Sequence, residues 1–180
     1  MKNTFTRTPW TSEIIRNLRL RFSNDEIWSK RIDDICTRPT RLGLHLAVFV
    51  EPYLQYVLDG KKTVESRFGI HRRPPFGHVR EGDILLLKRS GGPVIGVCLV
   101  GQVWFYELDP KSWRKIKQEF SVSLCAQDPD FWHQRRAASF ATLMLIKDVR
   151  TVTPFGIPKK DRRGWVMLKH PAPAQELLFA

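Results

Sequence analysis

Long hydrophobic runs are missing from this chain, as are metal-ligand spacings, disulfide-grade cysteine content and an excess of acidic charge. No apolar stretch approaches the roughly 18 residues that a membrane-spanning helix needs, so no membrane partner is expected. The opening MKNTFTRTPW lacks the apolar core of a secretory signal, which makes the cytoplasm the expected location. Three cysteines, Cys36, Cys98 and Cys125, are widely spaced and odd in number; they form neither a disulfide framework nor a CxxC pair. The five histidines never fall at HxxxH spacing, and no GK[ST] follows Gly91 and Gly92, which excludes a P-loop reading. Neither a metal nor a cofactor is expected.

What is present is a packed, basic chain. Its 180 residues, 42% hydrophobic and with six tryptophans, suffice for one domain that buries about two thirds of its unfolded surface. Thirty basic residues stand against eighteen acidic ones, a net charge of +12, and a field of that sign favours polyanions, nucleic acid foremost. The charge is concentrated. Lys61, Lys62, Arg67, Arg72, Arg73 and Arg80 face Glu65 alone between positions 60 and 80. Lys159, Lys160, Arg162, Arg163 and Lys169 face only Asp161 between 155 and 170. If the fold joins the two segments, they make one patch.

The periodicity predicts helices first and strands after. In TSEIIRNLRLRF, Ile14, Ile15, Leu18 and Phe22 recur near helical period behind Thr11 or Ser12, either of which can cap. SNDEIW pairs Ser23 with Glu26 in capping-box form, followed by a Trp28, Ile32, Ile35 stripe. Residues 37–43 read as a connector, so residues 1–43 are expected to be a basic helical extension and 44–180 the main domain. Strands are predicted over 44–50, around 62–68, from 84, after the Gly91–Gly92 turn, through 140–152 and at 164–168. A short helix after Pro52 should end at Gly60, and Asp109 and Pro110 open another. The expected class is α+β: a small mixed β-barrel with short helices, behind an N-terminal helical extension.

The segment GKKTVESR, residues 60–67, is the most informative. Strand alternation puts Thr63, Glu65 and Arg67 on one face, where the arginine can fix the carboxylate. Lys62 lies at the turn, within reach of the same face. A donor, an acceptor and a fixed cation around one small polar ligand suit the edge of a nucleobase. As charges alone, the same residues also fit a solvated ion pair worth under about 1 kcal/mol.

EPYLQYVLDGKKTVESR resembles the signature of the ASCH domain, a PUA-like β-barrel whose motif runs Gly-x-Lys-x-x-Glu-x-Arg after a short helix. Gly60, Lys62, Glu65 and Arg67 fill its four positions, and Gly82–Asp83 with the apolar strand that follows fits the continuation. The resemblance covers roughly residues 44 to 170. It implies an RNA-related binding module in which Lys62, Thr63, Glu65 and Arg67 hold a base or modified nucleoside. Lys61, Arg72, Arg73, Arg162 and Arg163 would then hold phosphates. Trp165, beside Arg162 and Arg163, is a candidate for base stacking. The alternative is a hydrolase using Lys62 as base and Glu65 to orient water, of ribonuclease or N4-acylcytidine amidohydrolase type. The amidohydrolase pattern has a threonine three residues after the lysine, where this chain has Glu65. A regulatory domain that binds protein through the N-terminal helices is a third reading.

Overall fold

The computed structural model describes residues 10–36 and 40–172. The opening segment and the first residues of the predicted connector lie outside the described residues. Helices α1 (Thr11–Arg21) and α2 (Glu26–Cys36) come first. Then follow β1 (Leu44–Phe49), α3 (Tyr53–Leu58), β2 (Val64–Gly69), β3 (Ile84–Arg89) and β4 (Val94–Glu107). The chain continues with α4 (Pro110–Phe120), α5 (Pro129–His133), β5 (Phe140–Phe155) and β6 (Trp165–Lys169).

The helix starts differ from expectation at two points. Neither Thr11 nor Ser12 caps α1; Trp10 occupies the cap position without a side-chain bond. At α2 the Asp25 carboxylate, not Ser23, accepts the Trp28 N–H at 3.1 Å, while the Ser23 hydroxyl turns back to the Leu20 carbonyl. Asp25 offers the same geometry two residues closer to the apolar stripe. The Asp109 start of α4 is as read: its carboxylate accepts from Ser112 N at 2.6 Å, and Ser112 Oγ accepts from Asp109 N at 2.8 Å.

Six strands form one sheet in the order β2-β5-β4-β3-β1-β6. Only β1 and β3 run parallel; the other pairings are antiparallel. The long strands β4 and β5 pair with three register shifts, and such bulges bend a ladder. The sheet curls into a half-barrel. Asp83 locks one end: its carboxylate accepts from Gly43 N at 2.7 Å, Arg80 N at 2.8 Å and meets His45 Nε2 at 2.9 Å. A Cβ on Gly43 would sit 2.8 Å from that carboxylate, so no larger residue fits without displacing Asp83.

Alternation divides the apolar residues among three clusters. Leu44, Leu46, Ile84 and Leu86 meet Ile14, Leu18, Trp28 and Ile32 of the first two helices. Ala47, Phe49, Leu85, Leu87, Cys98 and Met144 fill the concave interior. On the outside of β2 and β5, Val64 and Leu143 pack against Ile116 of α4, Phe131 and Trp132 of α5, and Leu124 between them.

Candidate functional site

The site begins where α3 hands the chain to β2. Gly60 takes φ +71°, a left-handed exit open to glycine at little cost, and Lys62 N–H then donates to Tyr56 O at 2.9 Å. This turn directs the Lys62 side chain inward, where it is 3% exposed. Its ammonium donates to the carbonyls of Val64 at 2.7 Å and Leu124 at 3.2 Å and lies 3.4 Å from Glu65 Oε2. Burial holds the Lys62 ammonium below its ordinary pKa, and Glu65 offsets only part of that shift.

Glu65 is itself buried. Its other oxygen, Oε1, lies 2.8 Å from Arg67 Nε, an ion-pair distance without the alignment of a hydrogen bond. Alternation puts Glu65 and Arg67 on one side of β2 and sends Val64 and Phe68 into the cluster under α4 and α5. Arg67 then crosses to the opposite edge of the sheet. Its Nη1 donates to Val48 O at 3.0 Å and Gly164 O at 3.1 Å, and its guanidinium lies over the Phe49 and Trp165 rings at 5.0 and 5.5 Å. The open seam of the half-barrel is bridged here by a side chain.

Above this row opens a cleft of about 350 Å³, with Lys62, Glu65 and Arg67 among its lining. Tyr53, Phe49, Phe68 and Phe131 supply aromatic walls, and Gln134 and Arg135 add polar groups. The Arg135 guanidinium lies 3.7 Å above the Phe131 ring and donates to Phe131 O at 2.6 Å. Burial lowers the Arg135 pKa, but an arginine remains a cation under such a shift. Burial also raises the Tyr53 phenol, which keeps it neutral and donor-capable. The cleft combines a buried carboxylate with flanking cations, neutral polar groups and aromatic faces.

The other expected residues are placed as follows. Thr63 is exposed and outside the cleft lining; its backbone is held by Ser123 O and Ile146 N. Lys61 is exposed, 3.5 Å from Asp59. Arg72 pairs with Glu107 and lies over the Phe140 ring. Arg163 pairs with Asp161 at 2.8 Å. The side chains of Arg73 and Arg162 are exposed and carry no ion pair among the described residues. Trp165 is 7% exposed and part of the concave cluster. The two basic segments do meet, at the Arg67–Gly164 bridge.

Sequence reasoning missed Tyr53, Phe131, Gln134 and Arg135. Tyr53 stands inside the quoted motif helix, so its spacing from Glu65 was a usable signal. Phe131, Gln134 and Arg135 come from far along the chain, in and just after α5, and gave none.

No family model matches the sequence, and no curated protein matches it significantly. The fold nevertheless has solved counterparts, and it is of ASCH type. The ASCH protein from Zymomonas mobilis superposes with a TM-score of 0.56 at 13% identity, over 75% of this chain and 91% of that one. A Tyr-to-Phe mutant of that protein matches with a TM-score of 0.56 over 76% of this chain and 94% of its own, also at 13% identity. A Ser-to-Ala mutant gives 0.54 at 13% identity, covering 76% and 92%. At that identity the likeness is one of fold. Among the described residues no helix is long and apolar enough to cross a membrane.

Proposed function

We propose that this protein binds single-stranded RNA by taking one base into the Glu65 cleft, with the surrounding arginines on the phosphates. The observation that carries the reading is the Glu65 carboxylate, held between Lys62 and Arg67 at the foot of an aromatic-walled cleft. A carboxylate oriented this way accepts from the N–H edge of a base. Tyr53 and Phe131 offer faces for stacking, which is worth about 1–3 kcal/mol per base. Arg73 and Arg162, without carboxylate partners among the described residues, are the phosphate contacts this reading favours. Lys61, Arg72 and Arg163 can exchange exposed ion pairs, worth about 0–1 kcal/mol each, for phosphate oxygens. Thr63, outside the cleft lining, is given no base contact in this reading.

The surroundings of Lys62 favour binding over hydrolysis. Two carbonyls and one carboxylate oxygen ring its nitrogen, and three acceptors call for the three protons of an ammonium. That leaves no lone pair to act as a general base.

The test is fluorescence anisotropy with short single-stranded RNAs, followed by mass spectrometry of the same samples. The expected result is saturable binding, intact RNA, and an affinity lowered about tenfold or more by Arg135→Ala, the loss expected for one charge-assisted contact. Cleaved or deacylated products that vanish with Lys62→Ala would replace this reading by the hydrolytic one.

A further inference from the structure

A second cleft, about 420 Å³, lies on the other side of Arg67 and Phe68. Among the described residues only these two line both clefts, so the clefts meet at Arg67 and Phe68. The second cleft is walled by Phe76, Phe140 and Trp165 and edged by His71 and Arg73; no carboxylate lines it. At its margin Ile70 is 59% exposed, an apolar side chain left open beside a cationic rim. Arg67 holds the partition in place through Nη1, while its Nη2 makes no hydrogen bond among the described residues. That arginine therefore has donor capacity left at the boundary of two clefts of similar size.

We infer that the second cleft seats the neighbouring nucleotide of the same strand, with the linking phosphate at Arg67 and Arg73, so that the recognised unit is a dinucleotide. This rests on the reading that the Glu65 cleft takes a base. Charge supports it: a strand carries one anion between each pair of bases, and the partition carries one cation between two clefts. Shape supports it as well, because aromatic walls accept any base by its face.

The experiment is calorimetric titration with ribonucleoside monophosphates, the corresponding diribonucleotides and a longer RNA. Wild type, Arg73→Ala, Phe76→Ala and Glu65→Gln are compared. Wild type should bind the preferred dinucleotide about tenfold or more tightly than the mononucleotide, the gain of one further stacked base. Phe76→Ala should shrink that gap to within about threefold and leave mononucleotide affinity unchanged, while Arg73→Ala should weaken the dinucleotide by more than it weakens the mononucleotide. Arg73 is exposed, so its variant keeps the test valid if Phe76→Ala disturbs the ring cluster with Phe105 and Phe140. Equal affinity of wild type for mono- and dinucleotide overturns the second subsite while leaving the first intact. Variants that weaken both ligands alike overturn it too. If neither short ligand binds and Glu65→Gln leaves the longer RNA unaffected, the base-cleft reading itself fails and takes the subsite with it.

Discussion

Lys62 Nζ lies 3.4 Å from Glu65 Oε2, with both side chains about 95% removed from solvent. Two charges so placed stabilise only as a pair. Removing one partner of a buried ion pair costs about 3–5 kcal/mol, because the other is left uncompensated. Lys62→Met should therefore destabilise the protein by about that much, read as a lowered urea midpoint at unchanged slope. The double variant Lys62→Met/Glu65→Leu should recover most of the loss. A single variant as stable as wild type would mean that the two charges do not depend on each other.

Arg67 is predicted to be irreplaceable by lysine. Its fork joins Glu65 on one edge of the sheet to the Val48 and Gly164 carbonyls on the other, and an ammonium cannot reproduce that geometry. Arg67→Lys should lose about 1–3 kcal/mol of stability for the unmet buried acceptors. Amide exchange should also speed up at Val48, whose N–H donates to Gly164 O at 2.9 Å. Unchanged protection there would remove Arg67 from the seam.

Salt dependence should separate the arginines. Arg73→Ala and Arg162→Ala are each expected to reduce the slope of log affinity against log salt by about one phosphate's worth. Arg72→Ala and Arg163→Ala should reduce it less, since Glu107 and Asp161 already neutralise part of those charges. Equal effects from all four would show that the internal ion pairs do not compete with RNA.

Cys98 gives a pH signature. It is fully buried in the concave interior, and burial pushes its thiol far above the ordinary value of about 8.5. The native state thus holds a proton that the unfolded chain releases above about pH 8.5. Stability contributed by this group is present below that pH and declines as pH rises past it. Thermal melts between pH 7.5 and 10 should show a decline that Cys98→Ala removes. Under native conditions Cys36 and Cys125, both partly exposed, should alkylate while Cys98 stays unmodified.

The strands and the shared face of Glu65 and Arg67 were legible because both follow from a period of two. The burial of Lys62 was not, because one of the carbonyls that holds it belongs to Leu124, 62 positions away. Thr63 has the parity of Glu65, yet β2 begins only at Val64 and the Thr63 side chain stays in solvent. Ser23 and Glu26 matched a capping box, but Asp25 sat nearer the helix and won the N–H of Trp28. Tertiary placement also decided Trp165, whose neighbours Arg162 and Arg163 suggested an exposed stacking platform. It is 7% exposed, lies under Arg67 and 5.3 Å from the His45 ring, and lines the second cleft.

The most direct test of the account is the affinity of wild type and Glu65→Gln for one single-stranded RNA at fixed salt, with folding of both verified by circular dichroism. Removing the carboxylate's charge leaves the arginines outside the cleft in place, so nonspecific attraction persists while base recognition is lost. The account predicts at least about tenfold weaker binding for Glu65→Gln, the scale of one lost charge-assisted contact, with an unchanged salt slope. A folded Glu65→Gln protein that binds as tightly as wild type would contradict it.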